Sequence, residues 1–524
     1  MIKVKLVSIE EGIQALGFRR IALIARSLNS ETEIYFITVG NLYSLTSHFF
    51  PNNRTVFTDK DLDIIAEELA QADLLCFSSM TPSAAYVEKI VQAAKLKNPR
   101  LFIIWGGTHC IMYPQEAIKH VDAVCTGEGE NSLKKFYEAF AAVKEYSFTP
   151  SMWFNKEDNI TRNKNLGLSR SDELNSFPHL FYGIDCRIYD LKLRKFRQFT
   201  KNDYISYNSL SYKTLWTIGC PFSCAYCAND TFIGNDKNYG LIRHSSVDYI
   251  LEEIENSIRI YPFISNIVFY DDNFIGLPMD ILESFSQQYK KRINLPFVVF
   301  GLHPNFITKE KIDLLGKAGM NRGRMGIQSG SEKTLSFYNR ATPLLKIEES
   351  AKILAEANRK YKMIPPAYDI ISDNPVETKE DVVATLKFLY GLKRPYTLTI
   401  FSLRVFPGTK LWDYFGNNSG EDIRHKTTSY LDTKKTMANI LLYLLAITRP
   451  PKRIFLWLLK YVKGNQEEQR LYPFLYTIVK SAYLLSRAFE HLRKFDFTTI
   501  AGHWGYYLWK MGFIKSKFRK TNFT

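Results

Sequence analysis

Over the first 140 residues, short apolar runs alternate with amphipathic segments. The runs at 3–8, 34–39, 73–78, 101–105 and 122–126 have the length and apolar continuity of strands buried on both faces of a parallel sheet. Between them, 61–71 and 83–95 repeat apolar residues every three or four positions, which predicts helices. The pattern over 1–140 therefore predicts a doubly wound, Rossmann-like α/β domain whose ligands bind at the carboxyl ends of its strands. Residues 141–205 lose the rhythm and read as a linker with local structure. The rhythm resumes over 206–420, with strands expected at 213–218, 266–270, 297–301, 324–328, 367–371 and 398–403. The helices expected there are 247–260, 279–292, 309–317, 346–358 and 379–392. Six such units predict a partial, TIM-like (β/α)6 barrel. Residues 421–524 lack the alternation and read as a basic helical C-terminal domain.

A chain of 524 residues has room for several domains. Hydrophobic residues at 46% and charged residues at 23% exclude a wholly disordered chain, and seven cysteines are too few for a disulfide scaffold of this length. The net charge of +16 favours an anionic partner such as a membrane surface, nucleic acid or an acidic ligand. That charge is uneven: residues 421–524 hold 19 Lys or Arg against 7 Asp or Glu, a net +12. Residues 1–14 show no secretory signal, and the longest uncharged apolar run, 437–448, is shorter than the roughly 18 residues that span a bilayer. A cytoplasmic protein is expected, with association to a membrane surface left open.

The strongest chemical signal is Thr217-Ile218-Gly219-Cys220-Pro221-Phe222-Ser223-Cys224-Ala225-Tyr226-Cys227, a C-x-x-x-C-x-x-C directly after a predicted strand. Thiolates at this spacing can hold one iron–sulfur cluster, and three of them leave one iron of a 4Fe–4S cubane for another ligand. A structural zinc site would want four ligands, and no second C-x-x-C exists. Cys76, Cys110, Cys125 and Cys186 are scattered along the chain and suit apolar packing.

This motif, at the end of the first strand of a six-unit barrel, resembles the radical S-adenosylmethionine (SAM) superfamily over about 205–415. The resemblance implies that Cys220, Cys224 and Cys227 bind a 4Fe–4S cluster whose remaining iron takes the amino and carboxylate groups of SAM. It also implies reductive cleavage of SAM to a 5′-deoxyadenosyl radical, with an electron donor such as flavodoxin or ferredoxin. Tyr226 matches the aromatic position near adenine. Asp271 and Asp272, in Tyr270-Asp271-Asp272-Asn273-Phe274, match the acidic loop near the SAM amino group. Gln328 and Ser329, in Gly326-Ile327-Gln328-Ser329-Gly330-Ser331, match a G-x-E-S-G-S segment that contacts SAM. Gln328 stands where Glu is frequent, and an amide bonds ribose hydroxyls without charge. Arg340 is placed to reach the SAM carboxylate. Without the family, these residues also read as a core tyrosine, a turn or helix cap, and a solvated arginine. Asp373-Asn374-Pro375-Val376-Glu377-Thr378 and Phe406-Pro407-Gly408-Thr409 match the loops after the fifth and sixth strands.

The N-terminal segment resembles the cobalamin-binding domain that precedes the barrel in one radical SAM subgroup. The resemblance assigns cobalamin contacts to Ser78 and Thr81, to Gly106, Gly107 and Thr108, and to Glu128. Ser78 and Thr81 also suit an ordinary strand-to-helix cap. The D-x-H-x-x-G that carries a lower cobalt ligand in many such domains is missing, since Ile9-Glu10-Glu11-Gly12 follows the first strand. Of His48, His109 and His120, none has that context, and His109 reads as a loop or core histidine.

The leading expectation is a cobalamin-dependent radical SAM enzyme that methylates an unactivated carbon. The apolar runs, cations and aromatics of 437–463 and 472–509, with Lys515, Lys517, Arg519 and Lys520, suit either a membrane headgroup boundary or a helical cap on the barrel. The first option suggests an apolar or lipid-like substrate and peripheral membrane contact through 421–524. No nucleic-acid module is recognised, so no nucleic acid is expected. A radical cyclase, oxidase or rearrangement enzyme and a non-catalytic iron–sulfur redox protein remain alternatives.

Overall fold

A computed structural model describes residues 2–29, 31–39, 57–180, 182–183, 185–340, 342–416, 431–463, 471–494, 496, 502–514 and 516–517. His48, Lys515, Arg519 and Lys520 lie outside the described residues. The chain divides into two compact units. The first comprises Met1–Asn208, Thr231–Tyr239 and Phe406–Asn418, and the second comprises Ser209–Asp230, Gly240–Val405 and Ser419–Thr524.

Among the described residues, the first unit is built on nine strands: β1 Val4–Glu10, β2 Glu33–Thr38, β3 Leu74–Ser79, β4 Phe102–Gly106, β5 Ala123–Cys125, β6 Met152–Lys156, β7 Asn159–Arg162, β8 Arg187–Asp190 and β9 Lys195–Gln198. Their order across the sheet is β7-β6-β5-β4-β3-β1-β2-β8-β9. The five central strands are parallel in the order 2-1-3-4-5, which puts the topological switch point between β1 and β3. Helices α1 Leu16–Leu28, α2 Asp59–Leu69, α3 Ala84–Lys97 and α4 Gly129–Ala141 belong to this unit. α2 starts at a capping box: the Thr58 side chain accepts from the Asp61 N–H, and the Asp61 side chain accepts from the Thr58 N–H. Its Leu62, Ile65, Ala66 and Leu69 join a core with Val7, Ile9, Leu75 and Trp105.

Residues 141–205 are not a linker. They supply β6 to β9, which widen the sheet at both edges, with β8 running parallel to β2 and β9 antiparallel to β8. β7 and β9 are four-residue strands with no buried residue, so they carry little of the alternation that marks a strand in sequence. α1 and α4 are helices that the sequence pattern did not bring out.

Among the described residues, the second unit holds six parallel strands in sequence order: β10 Ser211–Thr214, β13 Asn266–Phe269, β14 Phe297–Leu302, β15 Met320–Gln328, β16 Ala367–Ser372 and β17 Thr397–Ser402. The helices between them are α5 Val247–Ile260, α6 Met279–Arg292, α7 Lys309–Ala318, α8 Leu344–Tyr361 and α9 Lys379–Gly391. This is the expected partial barrel. One strand differs: 213–218 breaks after Thr214, and β11 Thr217–Ile218 turns to pair antiparallel with β12 Arg243–His244.

The C-terminal helices are α10 Met437–Ile447, α11 Lys452–Lys463, α12 Tyr472–Arg493 and α13 Gly502–Lys510. α10, the longest apolar run of the sequence, is buried on nearly every side, which explains its all-round hydrophobicity. Asn439 on α10 donates to Asp373 Oδ1 at 2.8 Å, and Tyr483 on α12 donates to the Leu398 carbonyl of β17 at 2.6 Å. A buried chain from Arg322 Nη1 to His491 Nε2 (3.3 Å), then from His491 Nδ1 to Asp496 Oδ2 (3.0 Å), ties the far end of α12 to β15. Among the described residues, no helix is long and apolar enough to cross a membrane.

Asp61 also accepts from Tyr189 Oη at 2.9 Å, which joins α2 to β8. Burial opposes its charge, but the Thr58 and Tyr189 hydrogen bonds outweigh it and hold the carboxyl below the usual aspartate range. Asp61→Asn is expected to cost about 1–2 kcal/mol at neutral pH. Because the folded pKa is depressed, that contribution is full above the ordinary aspartate value and is lost as pH falls through the folded one. Urea unfolding of the full chain at neutral and acidic pH, with hydrogen exchange over 59–69, checks both the size and the narrowing of the gap.

Candidate functional site

The cysteine loop starts at the carboxyl end of β10, and the loop after β13 holds it there. Asp271 Oδ1 accepts the backbone N–H of Trp216 at 3.2 Å and of Thr217 at 2.5 Å. Asp272 Oδ2 accepts the N–H of Gly219 at 3.2 Å, and its Oδ1 accepts from Asn229 Nδ2 at 3.3 Å. These bonds turn the chain out of β10 and into the cysteine motif. Burial raises Asp271 to about 7 against the pull of those N–H groups, and it raises Asp272 as well. Gly301 at the end of β14 makes room for the loop: it sits at φ +73°, and a Cβ there would stand 2.2 Å from the Asp271 carbonyl oxygen.

Cys224 is buried, while Cys220 and Cys227 are half-buried. Burial pushes the Cys220 thiol up to about 11 and the Cys227 thiol up to about 12, so binding a metal must displace those protons. Arg340 is buried, not solvated. Its Nη1 lies 3.6 Å from Cys224 Sγ and 3.3 Å from Tyr226 Oη, and its Nη2 donates to the Gly326 carbonyl at 2.6 Å. Gln328, in the left-handed region at φ +73°, folds its amide back over Gly326, where a Cβ would meet Gln328 Nε2 at 2.5 Å and Arg340 Nη2 at 3.2 Å. The structure thus gathers Cys224, Tyr226, Gln328 and Arg340. Ser329 is turned elsewhere, with its hydroxyl 3.3 Å from Glu377 Oε1 and 2.9 Å from Thr385 Oγ1 on α9.

Two features escaped the sequence reading. His303, just after β14, stacks on Phe222 of the cysteine loop with ring centroids 3.7 Å apart and planes 12° apart. Its Nδ1 accepts from the Asn305 N–H at 3.3 Å, and burial, with Arg340 nearby, pushes its pKa down to about 2. The ring is therefore neutral with its proton on Nε2, which is buried without a hydrogen-bond partner. A histidine immediately past a predicted barrel strand was the available signal. The second feature is a cavity of about 630 Å³ beyond the carboxyl end of β16, lined by Asp373, Asn374, Glu377 and Thr378 and by Lys434 to Thr436 before α10. Burial raises Glu377 there to about 7.

In the first unit, register places Ser78 beside Gly106 at the carboxyl ends of β3 and β4. Gly107 follows at φ +92°, and a Cβ there would meet the Ser79 carbonyl at 2.7 Å, so the glycine is required by the protein's own backbone. Thr108 opens the short helix Thr108–Met112. Thr81 turns inward to His109 Nδ1 at 3.2 Å, and His109 is buried against Trp105. Glu128 Oε2 accepts from the Ser169 N–H at 2.8 Å. At the switch point itself stands Glu10, whose carboxyl burial raises to about 7. Gly408, expected in a loop of the barrel, packs in the first unit, where its Cβ would stand 2.3 Å from the Met112 carbonyl oxygen.

Residues 214–389 match the Radical SAM superfamily, and residues 11–136 match the B12 binding domain. The chain is therefore a radical SAM enzyme with a B12-binding domain, and this class implies a 4Fe–4S cluster, SAM and cobalamin as cofactors. A curated relative, the bacteriochlorophyllide d C-8(2)-methyltransferase of Chlorobaculum tepidum, is 21% identical over 489 residues, covering 90% of this chain and 98% of the relative. Among solved structures, the radical SAM methyltransferase TsrM of Kitasatospora setae with cobalamin and a [4Fe–4S] cluster aligns with a TM-score of 0.59 at 14% identity, over 78% of this chain and 74% of that one. The cobalamin-dependent SAM radical enzyme OxsB aligns with a TM-score of 0.59 at 14% identity, over 98% of this chain and 76% of that one.

The residues present fit these groups. Among the described residues, no three His, Cys, Asp or Glu side chains stand ready to hold a single metal ion. Cys220, Cys224 and Cys227 bring three thiols onto one short loop, the donor set of a cluster with one iron left for another ligand. Some buried polar atoms without partners belong to residues of this end of the barrel: Asp271 Oδ2, Asn273 Oδ1 and Nδ2, His303 Nε2 and Arg340 Nε. Such atoms are costly unless a ligand satisfies them. Replacing any one of Cys220, Cys224 or Cys227 by Ala is expected to remove the cluster's iron and visible absorbance together with SAM cleavage. Arg340→Met is expected to keep the iron and weaken SAM binding by about 10-fold or more, as loss of a charge-assisted hydrogen bond would. Iron analysis and equilibrium SAM binding on the anaerobic protein check the two outcomes separately.

Proposed function

We propose that this enzyme transfers a methyl group from SAM, by way of cobalamin, to an unactivated carbon of an apolar or lipid-like substrate. The bound groups supply the hard chemistry: reductive cleavage of SAM at the cluster gives the radical that opens the carbon–hydrogen bond, and cobalamin carries the methyl group. The chain's own residues bind and orient. Asp271 and Asp272 set the entry of the cysteine loop through its backbone N–H groups. Arg340 supplies a buried positive charge beside Cys224, suited to the SAM carboxylate, and Tyr226 offers a ring and a hydroxyl beside it. Gln328 presents an amide suited to ribose hydroxyls, and His303 holds one neutral N–H donor at the same end of the barrel. Ser78, Gly106, Gly107 and Thr108 form the β3–β4 edge of the cobalamin site, with Glu10 at the switch point.

The observation that carries this reading is the convergence of Cys224, Tyr226, Gln328 and Arg340 at the carboxyl ends of the barrel strands, in a chain that also has a B12-binding domain. The apolar character of the substrate rests on the exposed aromatics of the C-terminal helices. An electron donor of the flavodoxin or ferredoxin kind is the partner the chemistry needs.

Anaerobic protein with SAM, hydroxocobalamin and a strong reductant is expected to yield both 5′-deoxyadenosine and S-adenosylhomocysteine, read by mass spectrometry. Deoxyadenosine alone would replace methyl transfer by cyclisation, oxidation or rearrangement.

A further inference from the structure

Helix α12 is amphipathic with its polarity turned inside out. The side toward the protein carries Tyr472, Tyr476 and Tyr483, which are buried. Tyr476 Oη lies 2.8 Å from Thr433 Oγ1, and Tyr483 Oη donates to the Leu398 carbonyl. The outer side is apolar: Phe474, Ile478, Leu485, Phe489 and Leu492 are 65%, 48%, 65%, 62% and 46% exposed. With Ala482 they recur every three or four residues, a single stripe about 27 Å long at 1.5 Å per residue. No charged residue falls on that stripe.

α11 also exposes apolar residues, here over an apolar inner face. Phe455, Leu459 and Val462 face inward, and Phe455 stacks on Tyr390 of α9 at 4.2 Å. Outside, Ile454, Trp457 and Tyr461 form a second exposed stripe, and Arg453 and Lys460 run beside it. α13 exposes Trp504 and Tyr507. Exposed large apolar residues so concentrated on α11 and α12 mark an interaction surface, not ordinary scatter.

We propose that this surface docks the enzyme on the headgroup–acyl boundary of an anionic bilayer. The occupant follows from charge. Residues 421–524 have a net charge of +12, so a second copy brought face to face would repel, whereas an anionic leaflet attracts. Aliphatic and phenyl side chains enter the acyl edge, Trp457, Trp504 and Tyr507 suit the headgroup level, and the lysines and arginines beside them meet lipid phosphates. Nucleic acid would meet the cations but leave the stripe of α12 in water. Since no described helix is long and apolar enough to span a bilayer, the contact is peripheral. The proposal deepens the apolar-substrate reading above by naming the phase from which such a substrate is taken. Docking itself needs neither turnover nor cofactors.

The test is co-sedimentation of the full-length protein with vesicles of phosphatidylcholine alone and of phosphatidylcholine with phosphatidylglycerol. Wild type is expected to pellet with the anionic vesicles, less with the neutral ones, and less at high salt. Phe474→Ser combined with Ile478→Ser, Leu485→Ser and Phe489→Ser, all on the exposed face, is expected to reduce partitioning by about 10-fold or more. Arg453→Glu with Lys460→Glu is expected to remove the preference for anionic lipid. Absence of co-sedimentation, or binding that the serine variant leaves unchanged, overturns the proposal. A concentration-dependent oligomer that the serine variant dissolves also overturns it, making the face a subunit interface. SAM cleavage by the serine variant in solution is read separately, so loss of docking with cleavage retained tells the surface apart from the radical chemistry.

Discussion

The second unit turns on one local constraint: two adjacent carboxylates at the end of β13 hold the backbone that enters the cysteine loop. Asp271 takes two N–H groups and Asp272 takes a third, and together they bend the chain away from the barrel strand. Burying two neighbouring carboxylates is costly, and their raised pKa values record that cost. The backbone donors offset it, and Gly301 permits the approach because any side chain there would strike the loop. From this fixed entry the loop carries Phe222 onto His303 and brings Cys224 and Tyr226 to Arg340. The arginine in turn grips the Gly326 carbonyl, so β14, through His303, and β15, through Gly326, both bear on one short segment.

The first unit follows a different rule. Its central strand order puts a switch point between β1 and β3, and the crevice outside such a point is where open α/β sheets bind ligands. Ser78, Gly106, Gly107 and Thr108 stand at that end of the sheet because of strand register, and Glu10 stands there because β1 is the central strand. The glycine after β4 serves the turn against Ser79 before it serves any ligand. That distinction matters, because a glycine pair in sequence cannot say which of the two it is for.

Central strands were legible because burial on both faces forces an unbroken apolar run, as in β1, β3 and β4. Helices α5 and α6 were legible to the residue from their periodicity. The edge strands β7 and β9 were not, since a strand that buries nothing needs no pattern. The cysteine motif was legible from spacing alone, but the burial of Arg340 was not, because its partners lie on the cysteine loop and β15, distant in sequence. His303 was missed for the same reason: its stacking partner Phe222 is remote in the chain, and no motif joins them. The apolar run of α10 matched either a surface or a core helix by composition. Packing against β17 and α12 makes it core and leaves the exposed apolar character to α11 and α12.

That a loop with three cysteines, fixed by Asp271 and Asp272, leaves one iron of its cluster for SAM is tested most directly by electron–nuclear double resonance. The sample is the reduced, reconstituted protein mixed with SAM isotopically labelled at its amino nitrogen and carboxylate oxygens. The predicted result is coupling of both labels to a single cluster iron. A fully formed cluster with no coupling to either label, showing four protein ligands instead, would contradict the account.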